Sequence, residues 1–485
     1  MKTRVTDFWL YRWRYLIGYT AIIVAIGIVL VIASLYVPGA LRQGEIDAAL
    51  ASGRLSMKSI DPHMVIDLPY HILQRLSFLA FGVTTLSIKL PSIVLGVLTS
   101  LGIFLLIRTW FRRNVAVLTT ILATTCTQFL FLVQDGTPNI MFSFLTIWTL
   151  FAATYVTRKK TFSTLWKVLT GVLMAAALYT PLGIYLVVAV LTTMFFHPHI
   201  RHIVTHFARP RLVIAIALGI VSIVPLVYAS TIDPTVALSL LGFPETAISM
   251  QQNLREVAYS LFGFFVPANG YLLRPVYSLG LMLLMMIGVY KLMTYKYTAR
   301  SYITLSLGLL MVPLVLLNPV HVSALYPLAV LMIALGIATL ITDWYKLFPR
   351  NPYARVAGLI PLAILVGGIV LSGVMRYMNN YEYNANVLKD YSSDLGLLED
   401  QLRYEKATKS TTRLITSPQE EAFYSMVAHY DGRFTISTSQ ENPAPVAIVT
   451  HQAYRIQKPS GEPTMIITNR FSKNADRFYV YRFVK

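Results

Sequence analysis

PGALRQGEIDAALASGR (residues 38–54) and FLAFGVTTLSIKLPS (residues 78–92) bracket the first polar interruption of a very apolar chain. Hydrophobic runs at about 17–36 and 88–107 flank this stretch, each long enough to cross a bilayer as a helix. The loop between them holds Glu45, Asp47, Asp61 and Asp67 together with His63 and His71. A polar hairpin between two spanning segments sets ionisable groups at a membrane surface, so the fold class reads as an α-helical polytopic membrane protein.

Composition supports this reading, because 485 residues with 55% hydrophobic and 13% charged side chains expose too much apolar surface for a soluble domain. The first apolar run reads as a retained anchor, since an acidic, helix-like loop follows it and no small-residue cleavage site does. Cys126 is the single cysteine, so no intrachain disulfide forms. The net charge of +19 is not a nucleic-acid footprint. Residues 376–485 carry 14 basic and 12 acidic residues, whereas residues 1–375 carry 27 and 10, with the cations in short alternating loops as on the cytoplasmic side of a membrane.

Parity of these loops gives a topology of about eleven transmembrane helices. Lys2, Arg4, Arg12 and Arg14 hold the N-terminus inside, and the clusters Arg108–Arg112–Arg113, Arg158–Lys159–Lys160 and Lys291–Lys296–Arg300 fall on the same side. The apolar stretch 168–197 reads as two short helices broken at Thr180-Pro181-Leu182-Gly183, an interruption typical of a nearby polar cavity. The outer loops are then 38–87 and 230–275. Of ten carboxylates before residue 376, only Asp7 and Asp343 lie inside, which marks the outer face as a polar site. Residues 1–375 form the membrane domain. Residues 376–485 have soluble composition, with a helix at 379–405 and short strands at 413–416, 434–438, 446–450, 465–468 and 478–484, and read as a small extracytoplasmic α/β domain.

Two surface helices are expected in the first outer loop. In the first, about 40–54, Ile46, Leu50 and Gly53 share a stripe flanked on opposite sides by Glu45 and Asp47, so one acid enters a given cavity. In the second, about 70–81, Ile72, Leu73, Leu76 and Leu79 form the buried face, while His71, Gln74 and Arg75 are offered elsewhere. A carboxylate here suits a general base that takes a proton from an acceptor hydroxyl. Outer cations Lys89, Arg255, Arg274 and His321 either meet a departing phosphate or anchor the interface. Asp135, in the turn Gln134-Asp135-Gly136-Thr137-Pro138-Asn139, either forms the turn or, with His63 and His71, supports an acceptor or a divalent cation.

These residues resemble the GT-C superfamily of polyprenyl-phosphate-sugar-dependent glycosyltransferases, above all the branch of protein O-mannosyltransferases and lipid A aminoarabinose transferases. Phe81-Gly82, then Ile88-Lys89-Leu90-Pro91-Ser92 and Gly96, are similar to the family's Phe-Gly and Arg-Leu-Pro-Ser at the second helix. Arg112-Arg113-Asn114, QFLFLVQDGTPNI (128–140) and Pro327-Leu328 add to the likeness. The family's acidic motif in the first outer loop, commonly Asp-Glu, binds or deprotonates the acceptor and here reads Gly44-Glu45-Ile46-Asp47, with Glu45 favoured as the catalytic base and Asp47 second. The resemblance implies inverting transfer of a sugar from a polyprenyl-phosphate donor, on the outer leaflet, to a protein, lipid or glycan acceptor. The competing reading is a transporter or flippase of lipid-linked sugars, which would carry charges buried within helices.

Overall fold

The computed structural model describes residues 9–37, 39–55, 61–158, 163–206, 209–244, 249–264, 275–295, 297–347, 353, 357–384, 387, 390–407, 412–438, 445–469 and 476–483. The chain opens with α1 (Trp9–Leu35), β1 (Leu41–Arg42), α2 (Gln43–Arg54), a 3-10 turn at Pro62–Val65, α3 (Leu68–Phe81) and α4 (Thr85–Trp110). Helices α5 (Arg113–Thr124), α6 (Thr127–Gln134), α7 (Ile140–Arg158), α8 (Ser163–Ala177), α9 (Gly183–Phe196) and α10 (Pro198–Thr205) follow. Then come α11 (Arg209–Ile232), α12 (Pro234–Leu240), α13 (Met250–Phe262), α14 (Leu279–Thr294) and α15 (Ala299–Leu317). A 3-10 segment at Pro319–Leu325 leads into α16 (Tyr326–Leu347) and α17 (Leu359–Tyr383).

Among the described residues six helices are long and apolar enough to cross a membrane, and eight if two bent pairs count as spans. Those pairs are α5 with α6, bent by 62°, and α9 with α10, bent by 92°. Three further apolar stretches, Thr164–Ala177, Ile216–Ile232 and Leu279–Thr294, are shorter. The protein is a multi-pass membrane protein. The break expected at residues 180–183 is present, with Leu182 in the left-handed region at φ 66°. Gly183 follows because a Cβ there would lie 1.6 Å from the Ala177 carbonyl oxygen.

The tail builds β2 (Tyr391–Ser392), α18 (Asp394–Ala407), β3 (Thr412–Ile415), α19 (Glu421–Asp431), β4 (Phe434–Ser437), β5 (Val446–Thr450), α20 (His451–Ile456), β6 (Met465–Thr468) and β7 (Asp476–Arg482). Five strands form one sheet in the order β4-β3-β5-β7-β6, with β3 parallel to both neighbours and β7 antiparallel to both of its own. The strands lie within about two residues of expectation, whereas the single helix expected at 379–405 is two. α17 runs to Tyr383, and α18 begins only at Asp394. The interruption holds β2, which pairs antiparallel with β1 just after α1, Leu41 opposite Ser392 and Arg42 opposite Tyr391. A contact across 350 residues has no local signature, which is why the pattern alone reads through it.

Two cores follow. The larger fills the helical bundle, with Leu30, Ile103, Phe129, Ile147, Leu186 and Ile333 fully or almost fully buried. The second joins Ala49, Phe78 and Ile88 of the loop helices to Leu398, Tyr424 and Val480 of the tail, so the tail packs directly on the loop. Ile46 and Leu50 rest against this second core, and a Cβ on Gly53 would touch the Met426 thioether, so the expected stripe of α2 faces the tail. On α3 the orientation is the reverse of a protein-facing apolar stripe. Ile72, Leu73, Leu76 and Leu79 are exposed, and His71, Gln74, Ser77 and Phe78 are buried. The helix leaves its apolar side exposed and turns its polar side into the protein.

Candidate functional site

Helix α2 turns Glu45 inward through the spacing of its first turn: the Arg42 backbone N–H donates to Glu45 Oε2 at 2.7 Å. Its other oxygen, Oε1, accepts from the Gly136 N–H at 2.7 Å and lies 3.5 Å from Lys89 Nζ. Lys89 sits one turn into α4, which Thr84 and Ser87 cap reciprocally, and it donates to Gln134 Oε1 at 3.2 Å. Both Glu45 and Lys89 are fully buried. Burial pushes the Glu45 carboxyl above the usual carboxylate range; Lys89 and the two backbone donors pull it back, and Asp135 adds to the rise. Asp47, on the far side of α2, is exposed and accepts from Gln43 at 2.9 Å.

Asp135 completes a balanced quartet of charges. Its Oδ2 accepts from Arg42 at 2.8 Å, Thr137 at 2.6 Å and Asn139 at 3.2 Å. The turn reading is therefore satisfied, since Thr137 and Asn139 hydrogen-bond the carboxylate that starts the turn. Asp135 Oδ1, however, is buried without a hydrogen-bond partner, and so is Arg42 Nε. The Arg42 side chain keeps 26% of its surface exposed and lies over the Phe131 ring at 5.4 Å. Gln134 ties the cluster to the tail by donating to the hydroxyls of Tyr381 at 3.3 Å and Tyr391 at 3.2 Å.

Asp67 is the acid that sequence reasoning left without a role. It takes the left-handed conformation at φ 53°, immediately before α3, and its N–H donates to Tyr179 O at 2.7 Å beside the α8–α9 break. The side chain is 7% exposed, with Oδ1 lacking a close partner, and the Thr180 hydroxyl is its polar neighbour. Burial pushes the Asp67 carboxyl up to about 8, with Thr180 acting weakly the other way. Its signal in the sequence is an acid before Leu68-Pro69 at a helix start. The next turn of α3 carries Tyr70, whose hydroxyl is within hydrogen-bond reach of Ser92 at 2.8 Å. That hydroxyl is raised by burial and further by Asp135, Glu45 and Asp67, so three carboxylates act on one neighbourhood.

The remaining candidates separate from this centre. His63 pairs with Asp233 at 3.0 Å, joining the segments 38–87 and 230–275 near the surface. His71 is buried against Ser52 at 2.7 Å, and burial lowers it to about 4, so it is a neutral hydrogen-bonding group. Arg255 is exposed over Tyr259, and His321 is half-buried beside Gly242; among the described residues neither bonds to the quartet. Arg274 lies outside the described residues. No three His, Cys, Asp or Glu side chains gather as a metal site among the described residues.

Comparison with known proteins places this geometry on a recognised fold. Residues 69–228 match the family model described as dolichyl-phosphate-mannose-protein mannosyltransferase. The structure is similar to ArnT from Cupriavidus metallidurans bound to undecaprenyl phosphate, at TM-score 0.52 and 12% identity, over 96% of this chain and 98% of that one. It is also similar to the apo oligosaccharyltransferase of Archaeoglobus fulgidus, at TM-score 0.52 and 12% identity, over 90% of this chain and 66% of that one. No curated protein matches in sequence. The fold is thus that of the GT-C superfamily, as the sequence resemblance implies.

Proposed function

We propose that the protein is a membrane glycosyltransferase that moves a sugar from a polyprenyl-phosphate donor to an acceptor hydroxyl or amide at the outer membrane face, with inversion. The observation that carries this reading is the buried cluster of Arg42, Glu45, Lys89 and Asp135 in a GT-C fold, in which Asp135 Oδ1 and Arg42 Nε lack hydrogen-bond partners, with the buried Asp67 on the same loop. Buried polar atoms without partners are costly, and they concentrate where a ligand completes them.

Asp67 is the proposed base. A carboxyl near 8 accepts a proton readily, and among the described residues no cation competes for it. The acceptor proton passes to Asp67 as the acceptor atom bonds to the anomeric carbon. The bond from that carbon to the phosphate oxygen breaks, and its electron pair leaves on the lipid phosphate. Arg42, the one cation of the quartet with surface exposed, meets the growing phosphate charge through its free Nε–H. Glu45, with donors on both oxygens, holds Lys89 and the loop in place. This moves the base from Glu45 and Asp47 to a third acid of the same loop.

The reading carries the proposed topology with it: N-terminus cytoplasmic, loops 38–87 and 230–275 outside, residues 1–375 as the catalytic membrane domain and 376–485 as an extracytoplasmic domain. Transfer from a radiolabelled polyprenyl-phosphate sugar by the purified protein tests it. Wild type transfers label, D67N does so about 10²–10⁴-fold more slowly, and both retain the donor equally. Full activity in D67N removes Asp67 from the role, and absence of transfer with any acceptor class removes the enzyme reading.

A further inference from the structure

At the other end of the bundle lies a cleft that the transfer reaction does not use. Helix α4 carries Lys89 near its start and Trp110 at its end, and a helix of that length separates them by about 30 Å, the thickness of a bilayer core. Beside Trp110 and Phe111, a cleft of about 330 Å³ opens between α14, α15 and α16. Leu292, Leu331, Leu335 and Ala338 form apolar wall, and Lys291, Arg300 and Lys346 bring three cations to it.

Among the described residues no carboxylate lines the cleft. The near acid, Asp343, is spent on Lys346 at 3.1 Å on the surface. Among the described residues, no carboxylate lies within ion-pair distance of Arg300 or Lys291. Arg300 donates to Trp110 O at 2.6 Å and lies over the Phe111 ring at 4.6 Å. A cation that merely anchors a helix end extends toward water; Arg300 instead folds back against α4 with most of its donors uncommitted. A smaller adjoining cleft of about 110 Å³ shares Trp110 and Arg300 and adds Arg158. A guanidinium fixed by stacking, beside a lysine and above an apolar channel, matches a phosphate joined to a hydrocarbon chain.

We propose that this cleft binds an anionic membrane lipid, its headgroup phosphate on Arg300 and Lys291 and its acyl chain against Leu331 and Leu335. A free phosphate shares the headgroup chemistry but would leave the apolar wall unfilled. Native mass spectrometry of the purified full-length protein, titrated with phosphatidylglycerol or phosphatidylcholine, tests the proposal. Wild type retains phosphatidylglycerol about tenfold better, and K291Q or R300Q each cuts that retention about fivefold. R201Q, at an exposed cation on α10 outside the cleft, leaves it unchanged. R300Q also removes the bond to Trp110, so K291Q, whose described contact is the Tyr295 ring, decides the matter if R300Q does not fold. Equal retention of the two lipids, unchanged retention in K291Q, or full displacement by millimolar inorganic phosphate would each overturn the proposal.

Discussion

A buried aspartate with no cation beside it is an expensive residue to keep, and Asp67 is kept in a left-handed backbone as well. Because burial holds its carboxyl at about 8, the folded protein binds this proton more tightly than the unfolded chain does. The stability associated with that proton is complete below the ordinary value of 3.8 and is lost as pH rises through about 8. Asn tolerates the left-handed region and mimics the protonated carboxyl. The margin in melting temperature of D67N over wild type therefore grows between pH 4 and 8 and is flat above it. Transfer by wild type rises over pH 6–8, and the residual activity of D67N lacks that rise; a rise of equal size in D67N assigns the titration to another group. Glu45 behaves differently, since E45Q leaves Lys89 buried without its counter-charge. We expect E45Q to cost about 3–5 kcal/mol and E45Q/K89M to recover most of it. Thermal unfolding of the four proteins in one detergent measures this, and additive losses would show that the pair is not coupled. Spacing on α2 showed that only one of Glu45 and Asp47 faces a given cavity, and the family resemblance, not the spacing, favoured Glu45. The partners of Glu45 were not legible, because Lys89 and Gly136 reach it from elements 44 and 91 residues away.

At the scale of elements, the helices reveal their existence through hydropathy, and their contacts depend on residues that hydropathy ignores. Helices α14 and α16 cross where Gly288 faces the Met332 carbonyl and Gly336 faces the Leu284 carbonyl, so each glycine meets the carbonyl four residues before the other glycine. A Cβ would approach those oxygens to 2.1 Å and 2.2 Å. Backbone on the opposing side cannot rotate away as a side chain does. G288A and G336A should each lower stability by about 1–3 kcal/mol. G280A, where the neighbour is the Ile369 side chain, should cost less; equal losses at all three would refute the backbone-contact explanation. Helix α3 shows the limit of periodicity from the other direction. Its apolar stripe was visible in the sequence, but a stripe does not state whether protein or lipid covers it. The answer came from Gln74, which donates to Ile88 O at 2.9 Å and Gly136 O at 3.2 Å and so fixes the polar side inward.

For the whole molecule, the β1–β2 ladder imposes a parity rule. Leu41 pairs with Ser392 and Arg42 with Tyr391, so these residues share one side of the membrane and the chain between them crosses an even number of times. Setting α1 aside, the helices long enough to cross number five, or seven when each bent pair is one span. Both counts are odd. Adding the three shorter apolar helices gives ten, which is even, and α1 then brings the total to eleven. We propose this count, which agrees with the even number the ladder requires; the short helices then span by thinning the bilayer locally or by shielding one another, and the mismatch costs fractions of a kcal/mol per Å. The proposed topology puts α13 and the tail sheet on one face, and α10 and the end of α14 on the other. In right-side-out vesicles, a membrane-impermeant maleimide should label Q251C and T435C, and R201C and T294C only after permeabilisation. These four positions are exposed in the fold, so a failure to label reflects sidedness and not burial. Labelling of Q251C and T435C from opposite sides would break the parity rule, and with it the placement of Asp67 and Arg42 on the face where a lipid-linked donor is proposed to bind.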